Sequence, residues 1–150
     1  MDRVGLIQQA IEYEREGYDY YKRQAKRLHD QEVTDLFEMV AEEEMRHIEW
    51  LKLMIDEEFT GSEKVALLVA GQPLRSAQIN WEAIKRIGLS DINNVYDHAI
   101  EMETSAIEFY ESLRPVVSGD AERLLDTIIK WEHSHLELFK KLKSSGISTS

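Results

Sequence analysis

One pattern of residues occurs twice in the sequence, and this repeat restricts the fold more than any other feature of the chain. Residues 10–21 (AIEYEREGYDYY) match residues 99–110 (AIEMETSAIEFY), with equivalent positions 89 apart. Residues 42–47 (EEEMRH) match residues 130–135 (KWEHSH), with equivalent positions 88 apart. The two offsets differ by one, which a one-residue difference in the length of a turn would explain. We therefore expect the two halves of the chain to fold alike and to pack about an approximate two-fold axis.

Apolar residues recur at three- and four-residue steps through most of the chain, which is the period of an amphipathic helix. Helix breakers are few, because the 150 residues include only seven glycines and two prolines. The pattern predicts four helices. Their expected bounds are about Arg3 to Leu28, from an N-cap at Asp30 to before Gly61, from Ser90 or Asp91 to before Pro115, and from after Gly119 to about residue 143.

The segment 62–89 has a different character, since it contains Gly71, Pro73 and Gly88 and only a short apolar piece. We interpret it as a long crossover with a turn or two of helix. Two helical hairpins joined in this way predict an all-α, antiparallel four-helix bundle with a long crossover between its second and third helices. The bundle is expected to be one domain of residues 1–143, with repeats 1–60 and 90–143, followed by a flexible tail at 144–150.

Charge and composition exclude several classes of function. The net charge of −11 would repel DNA and RNA, so no nucleic-acid partner is expected. The absence of cysteine excludes disulfides, thiolate zinc sites and iron–sulfur clusters. The sequence has no apolar run of the roughly 18–20 residues that span a bilayer, and its first residues lack the apolar core of a signal peptide. We therefore expect a cytoplasmic protein with no membrane partner.

Acidic and imidazole side chains are retained in both copies of the repeat. A glutamate on the first helix of each copy, at equivalent positions, accompanies a Glu-x-x-His motif on the second helix. Residues three apart on a helix share a face, so the glutamate and histidine of each motif can point to one centre. The two-fold axis then brings both halves together. The predicted metal ligands are Glu14, Glu44, His47, Glu103, Glu132 and His135.

Four carboxylates in the core of a bundle require compensation, because each buried charge would otherwise cost several kcal/mol or take up a proton. Two divalent cations would neutralise all four charges. Carboxylate and imidazole ligands without sulfur suit iron or manganese, with zinc and cobalt also possible. A single Glu-x-x-His occurs readily by chance, and its duplication at equivalent positions is what favours a metal site. The other histidines, His29, His98 and His133, are expected at the surface or beside the site.

Tyr21 and Tyr110 lie two helical turns after the first-helix glutamates, on the same face. We expect them to pack in the core. Alternatively, each donates a hydrogen bond to a ligand carboxylate or takes part in electron transfer. Met45 points away from the metal face and is expected to be buried or at an interface.

These motifs resemble those of the rubrerythrin branch of the ferritin-like superfamily, over nearly the whole bundle. The segments that carry the resemblance are AIEYEREGYDYY, AEEEMRH, AIEMETSAIEFY and KWEHSH. The resemblance implies that Glu44 and Glu132 bridge two iron ions. It makes Glu14 and Glu103 terminal carboxylates, and His47 and His135 terminal imidazoles. It also implies an oxidoreductase in which ferrous ions reduce hydrogen peroxide or dioxygen, and a homodimer.

Two features depart from that family. Rubrerythrins carry a rubredoxin domain with four cysteines, so here electrons would come from a separate donor such as a rubredoxin. Rubrerythrins also have an additional glutamate three residues after the third-helix ligand, where this chain has Ala106. Bacterioferritins share the duplicated Glu-x-x-His and have a haem-binding methionine at the position of Met45, so an iron-storage or ferroxidase subunit remains an alternative. The third hypothesis is a metal site with a purely structural role.

Overall fold

The computed structural model describes residues 2–55 and 92–145. They form four α-helices, α1 (Arg3–Arg27), α2 (Gln31–Ile55), α3 (Ile92–Leu113) and α4 (Asp120–Ser145), with a 3₁₀ turn (Arg114–Val116) after α3. This part of the chain contains no strand, which confirms the all-α prediction and the four-helix bundle. None of its helices combines the length and the apolar character needed to cross a membrane.

Side-chain and glycine caps set the ends of the helices. The Asp2 carboxylate accepts a hydrogen bond from the backbone N–H of Gly5 at 2.8 Å. Asp30 Oδ1 accepts one from the N–H of Val33 at 3.1 Å, which confirms the predicted N-cap of α2. Gly119 has φ = +65°, a conformation that favours glycine, and it turns the chain into α4. α4 continues two residues into the predicted tail.

The end of α2 and the start of α3 lie at opposite ends of the bundle. The Arg3 guanidinium donates hydrogen bonds to the carbonyls of Met54 and Ile55, so α2 ends beside the start of α1. The Tyr20 hydroxyl donates to the carbonyl of Val95 at 3.4 Å, so α3 begins beside the second half of α1. The crossover predicted between α2 and α3, 62–89, lies outside the described residues.

Two apolar layers fill the bundle, one at each end. The first combines the start of α1 and α4 with the ends of α2 and α3, and includes Trp50, Tyr110 and Trp131. The second combines the opposite ends of the same helices. In this layer the ring of Tyr21 stacks against Phe37 and Phe139, with centroids 5.9 and 5.6 Å away. The segments that carry the predicted ligands lie between these two layers.

Gly17 is a buried glycine within α1, and alanine should be the better residue there. A Cβ at this position would lie 3.6 Å from Glu44 Oε2, which is an ordinary contact. We expect Gly17→Ala to raise the free energy of unfolding by about 0.5–1 kcal/mol, because glycine weakens a helix interior. Urea denaturation of the metal-free protein measures the change. A less stable alanine variant would contradict this packing, and the larger Gly17→Leu variant should be destabilised because its side chain meets Glu44.

Candidate metal centre

All six side chains predicted as ligands are brought together between the two apolar layers, and each is at most 3% exposed. They form two overlapping groups whose ligand atoms lie within 4.8 Å of one another. Ligands around one ion with bonds of about 2.1 Å lie at most ~4.2 Å apart, so a small contraction would suffice. One group is Glu14, Glu44, His47 and Glu132; the other is Glu44, Glu103, Glu132 and His135. The shared pair, Glu44 and Glu132, is the pair for which bridging was predicted.

The two imidazoles are arranged symmetrically about this centre, with their ring centroids 6.1 Å apart. Nδ1 of each ring faces two glutamates. One belongs to the shared pair, and the other comes from α1 or α3. The distances from Nδ1 to the nearer carboxylate oxygen are 2.7 Å for His47 to Glu132, 3.5 Å for His47 to Glu14, 3.1 Å for His135 to Glu44 and 3.6 Å for His135 to Glu103. Each imidazole therefore faces the carboxylates with which it would share an ion.

The charge of the centre favours cations. Among the described residues five carboxylates are buried, those of the four predicted glutamates and of Glu43, whereas no lysine or arginine is buried. Several buried polar atoms make no hydrogen bond in this part of the chain: Glu14 Oε2, Glu103 Oε2, Glu132 Oε1 and both ring nitrogens of His47. His47 Nδ1 and Glu132 Oε1 lie 2.7 Å apart, but their contact does not have the geometry of a hydrogen bond. Buried polar atoms without partners are costly. Two divalent cations would supply partners for the oxygens and Nδ1 while offsetting the negative charge, so the residues fit the metal pair that they predict.

Protons would partly compensate the same charge in the metal-free protein. Burial raises the pKa of Glu132 well above its usual value, and the negative charges of Glu103 and Glu14 raise it further. Burial alone would raise the pKa of Glu103, but hydrogen bonds from Glu132 and His135 outweigh it and lower that pKa. Burial alone would lower the pKa of His135, but interactions with Glu103 and Glu43 raise it to about 10. Metal binding at this imidazole would therefore release a proton.

The two tyrosines pack in the core and also donate hydrogen bonds, each across to the opposite half of the repeat. The Tyr21 hydroxyl donates to Glu103 Oε1 at 2.6 Å, and the Tyr110 hydroxyl donates to Glu14 Oε1. Burial and the neighbouring carboxylates raise the pKa of both phenols well above 10, so the hydroxyls remain donors. The expected packing and the alternative hydrogen bond therefore occur together, and these bonds orient the two carboxylates.

Removal of the Tyr110 hydroxyl should weaken the fold measurably. We expect Tyr110→Phe to lower the free energy of unfolding of the metal-free protein by about 1.5–3 kcal/mol, because a buried hydrogen bond to a charged carboxylate is lost. Urea denaturation measures the change. Tyr13→Phe is the matched control, since Tyr13 is 40% exposed and its variant should stay within about 0.5 kcal/mol of the parent. Equal stability of both variants would contradict the role of the Tyr110 bond.

Glu43 is a buried member of this centre that the sequence analysis missed. It is 1% exposed, and its Oε2 lies 2.9 Å from Nε2 of His135, which donates to it. The equivalent position in the second repeat is Trp131, so a search for residues retained in both copies passed over Glu43. Its spacing of four from His47 places both on one face of α2, and this signal was available in the sequence.

A comparison with protein families identifies the family of this chain. A family model described as Rubrerythrin matches residues 6–143. The chain belongs to the rubrerythrin family. No curated protein and no solved structure gives a match. This membership confirms the predicted resemblance, and the role of the six side chains as ligands stays a prediction.

The remaining positions that the sequence analysis of this rubrerythrin singled out lie outside the two ligand groups. His29, His98 and His133 are exposed, as expected for surface residues. Met45 is half-buried and packs against the first apolar layer. Ala106, the position of the additional glutamate in rubrerythrins, is half-buried and lines a cavity of about 290 Å³ between α1 and α3.

Proposed function

We propose that this protein is a di-iron oxidoreductase that reduces hydrogen peroxide or dioxygen as Fe(II) is oxidised. The observation that carries the proposal is the pair of overlapping ligand groups, each with one imidazole and one carboxylate of its own, that share Glu44 and Glu132. Carboxylates shared in this way would hold two ions close enough to act on one oxidant. Membership of the rubrerythrin family supports oxidoreductase chemistry of this kind.

When bound, a pair of ferrous ions would supply the two electrons that reduce hydrogen peroxide, with two protons, to two molecules of water. The protein would bind the ions, orient the carboxylates and exclude water. Glu44 and Glu132 would hold both ions, while Tyr21 and Tyr110 keep the carboxylates of Glu103 and Glu14 in place. The apolar layers on both sides of the centre keep it dry. Ala106 offers no additional carboxylate, so the proposed reaction depends on the six ligands alone.

Iron is proposed over manganese or zinc because the reaction needs a metal that changes oxidation state readily and because the family suggests it. The chain has no cysteine, so the proposal includes a separate electron donor such as a rubredoxin. A homodimer and a cytoplasmic location also stay predictions.

Stopped-flow absorption tests the reaction. The protein is loaded without oxygen with two Fe(II) per chain and mixed with hydrogen peroxide or with dissolved oxygen. We expect rapid formation of the ferric chromophore, with two irons oxidised per peroxide, and no change in protein loaded with Zn(II). Oxidation no faster than that of free Fe(II) under the same conditions would contradict the proposal.

Light scattering distinguishes the proposed enzyme from the iron-storage alternative. An enzyme of this type should form a small oligomer and stop at two irons per chain. The iron-storage alternative requires a large hollow shell that continues to take up iron, so observation of such a shell would favour storage.

A further inference from the structure

The two halves of the centre differ at one pair of equivalent buried positions. Glu43 on α2 and Trp131 on α4 occupy the same place in the repeat, directly before Glu44 and Glu132. Glu43 is 1% exposed and Trp131 is 3% exposed. Glu43 lies beside His135 and Trp131 lies beside His47, so each is next to the histidine of the opposite repeat. The difference therefore acts directly on the two imidazoles.

Glu43 fixes the ring of His135. Nε2 of this imidazole donates to Glu43 Oε2 at 2.9 Å, while Nδ1 on the other side of the ring faces Glu44 Oε1 at 3.1 Å. A carboxylate that accepts from the outer ring nitrogen sets the tautomer in which Nδ1 carries the lone pair for a metal. It also increases the electron density of the ring, which makes the imidazole a stronger ligand.

Among residues 2–55 and 92–145, His47 has no such partner. Its ring lies 5.3 Å from the Trp131 ring, edge to face, and 5.9 Å from the Trp50 ring. Its Nε2 has no hydrogen-bond partner among the residues that the structure describes. The indoles restrict the ring by packing, but they do not select its tautomer through an acceptor on Nε2.

We propose that the two metal positions are unequal, that the position at His135 binds a divalent cation more tightly and fills first, and that Glu43 is the positioning residue responsible. The inference rests on the metal site proposed above. Loss of such an outer partner typically lowers metal affinity about 10–100-fold, so the two dissociation constants should differ by a factor in that range. A di-metal site of this kind would hold one ion firmly and exchange the other.

Titration with Co(II) alone, without oxygen, tests the inequality through the visible absorption of the bound ion. Wild-type protein should show two binding steps separated about 10–100-fold. Glu43→Leu should weaken the tighter step until the two coincide, and leave the weaker step unchanged. Glu43→Gln, whose amide oxygen can still accept from Nε2, should restore part of the separation. Glu49→Gln removes one exposed carboxylate from the same helix and should leave both steps as in wild type.

A purely structural role for Glu43 would change the stability of the variant but not the separation between the two steps. Crystals of wild-type protein with half an equivalent of Co(II) provide a test that needs no variant. The anomalous peak at the cobalt edge should be stronger beside His135 than beside His47. Equal peaks, or a single wild-type affinity for two ions, would overturn the inequality and leave the proposed function intact. No Co(II) binding at all would overturn both.

Discussion

Glu44→Ala should lower the rate of Fe(II) oxidation by the loaded protein roughly 100-fold or more. Loss of a partner outside the ligand set already costs about 10–100-fold, and Glu44 belongs to both ligand groups, so its loss affects both ions. Glu44 is also the residue that faces Nδ1 of His135 at 3.1 Å. The alanine variant would therefore remove a proposed ligand from each ion, together with the carboxylate that lies nearest to Nδ1 of His135.

The rate is measured by stopped-flow absorption at equal Fe(II) loading, with bound metal determined in the same samples. Glu49→Ala is the matched control, because it removes an exposed carboxylate from the same helix and should react like the parent. Circular dichroism verifies that both variants are folded. If Glu44→Ala oxidised Fe(II) as fast as wild type, the di-iron oxidoreductase proposal would be abandoned.

Metal should stabilise the wild-type protein strongly, and Glu132→Gln should remove that effect while stabilising the metal-free fold. A ligand at 100 times its dissociation constant adds about 2.7 kcal/mol per site to the free energy of unfolding. Glu132 is shared by both groups, so the glutamine variant should lose most of this gain. Without metal, Glu132→Gln should instead raise the free energy of unfolding. The raised pKa of Glu132 indicates that its ionised form is unfavourable in this buried centre. A neutral amide of the same shape avoids that charge.

Urea denaturation of both proteins, with chelator and with excess Mn(II), measures the two effects. Manganese avoids oxidation during the experiment and accepts the same ligands. Wild type should be the less stable protein in chelator and the more stable one in metal. An equal response of both proteins to Mn(II) would show that Glu132 is not a ligand.

The fold and the six candidate ligands could be predicted because their signals are periodic and duplicated. Three- and four-residue spacing of apolar side chains follows directly from helix geometry. The Glu-x-x-His motif is weak alone, and its recurrence at equivalent positions supplied the constraint that placed His47 and His135 at one centre. The buried positions of all six side chains agree with this interpretation.

The partners of Glu43 and of the two tyrosines could not be predicted, because these contacts break the repeat or depend on the packing of helices from both halves. The contact between Glu43 and His135 joins α2 to α4, at a position where the second copy has Trp131. The tyrosine bonds also cross between halves, since Tyr21 lies on α1 and its acceptor Glu103 on α3. Spacing within a helix identifies a shared face, but it does not identify which side chain of another helix that face meets.

Anomalous diffraction above and below the iron edge, from crystals of protein expressed with its native metal, tests the metal centre most directly. Two coordinated cations should appear as two peaks between the apolar layers, both lying against Glu44 and Glu132, and the signal should fall below the edge. Absence of both peaks, or side chains of the six residues turned away from a common centre, would contradict the account.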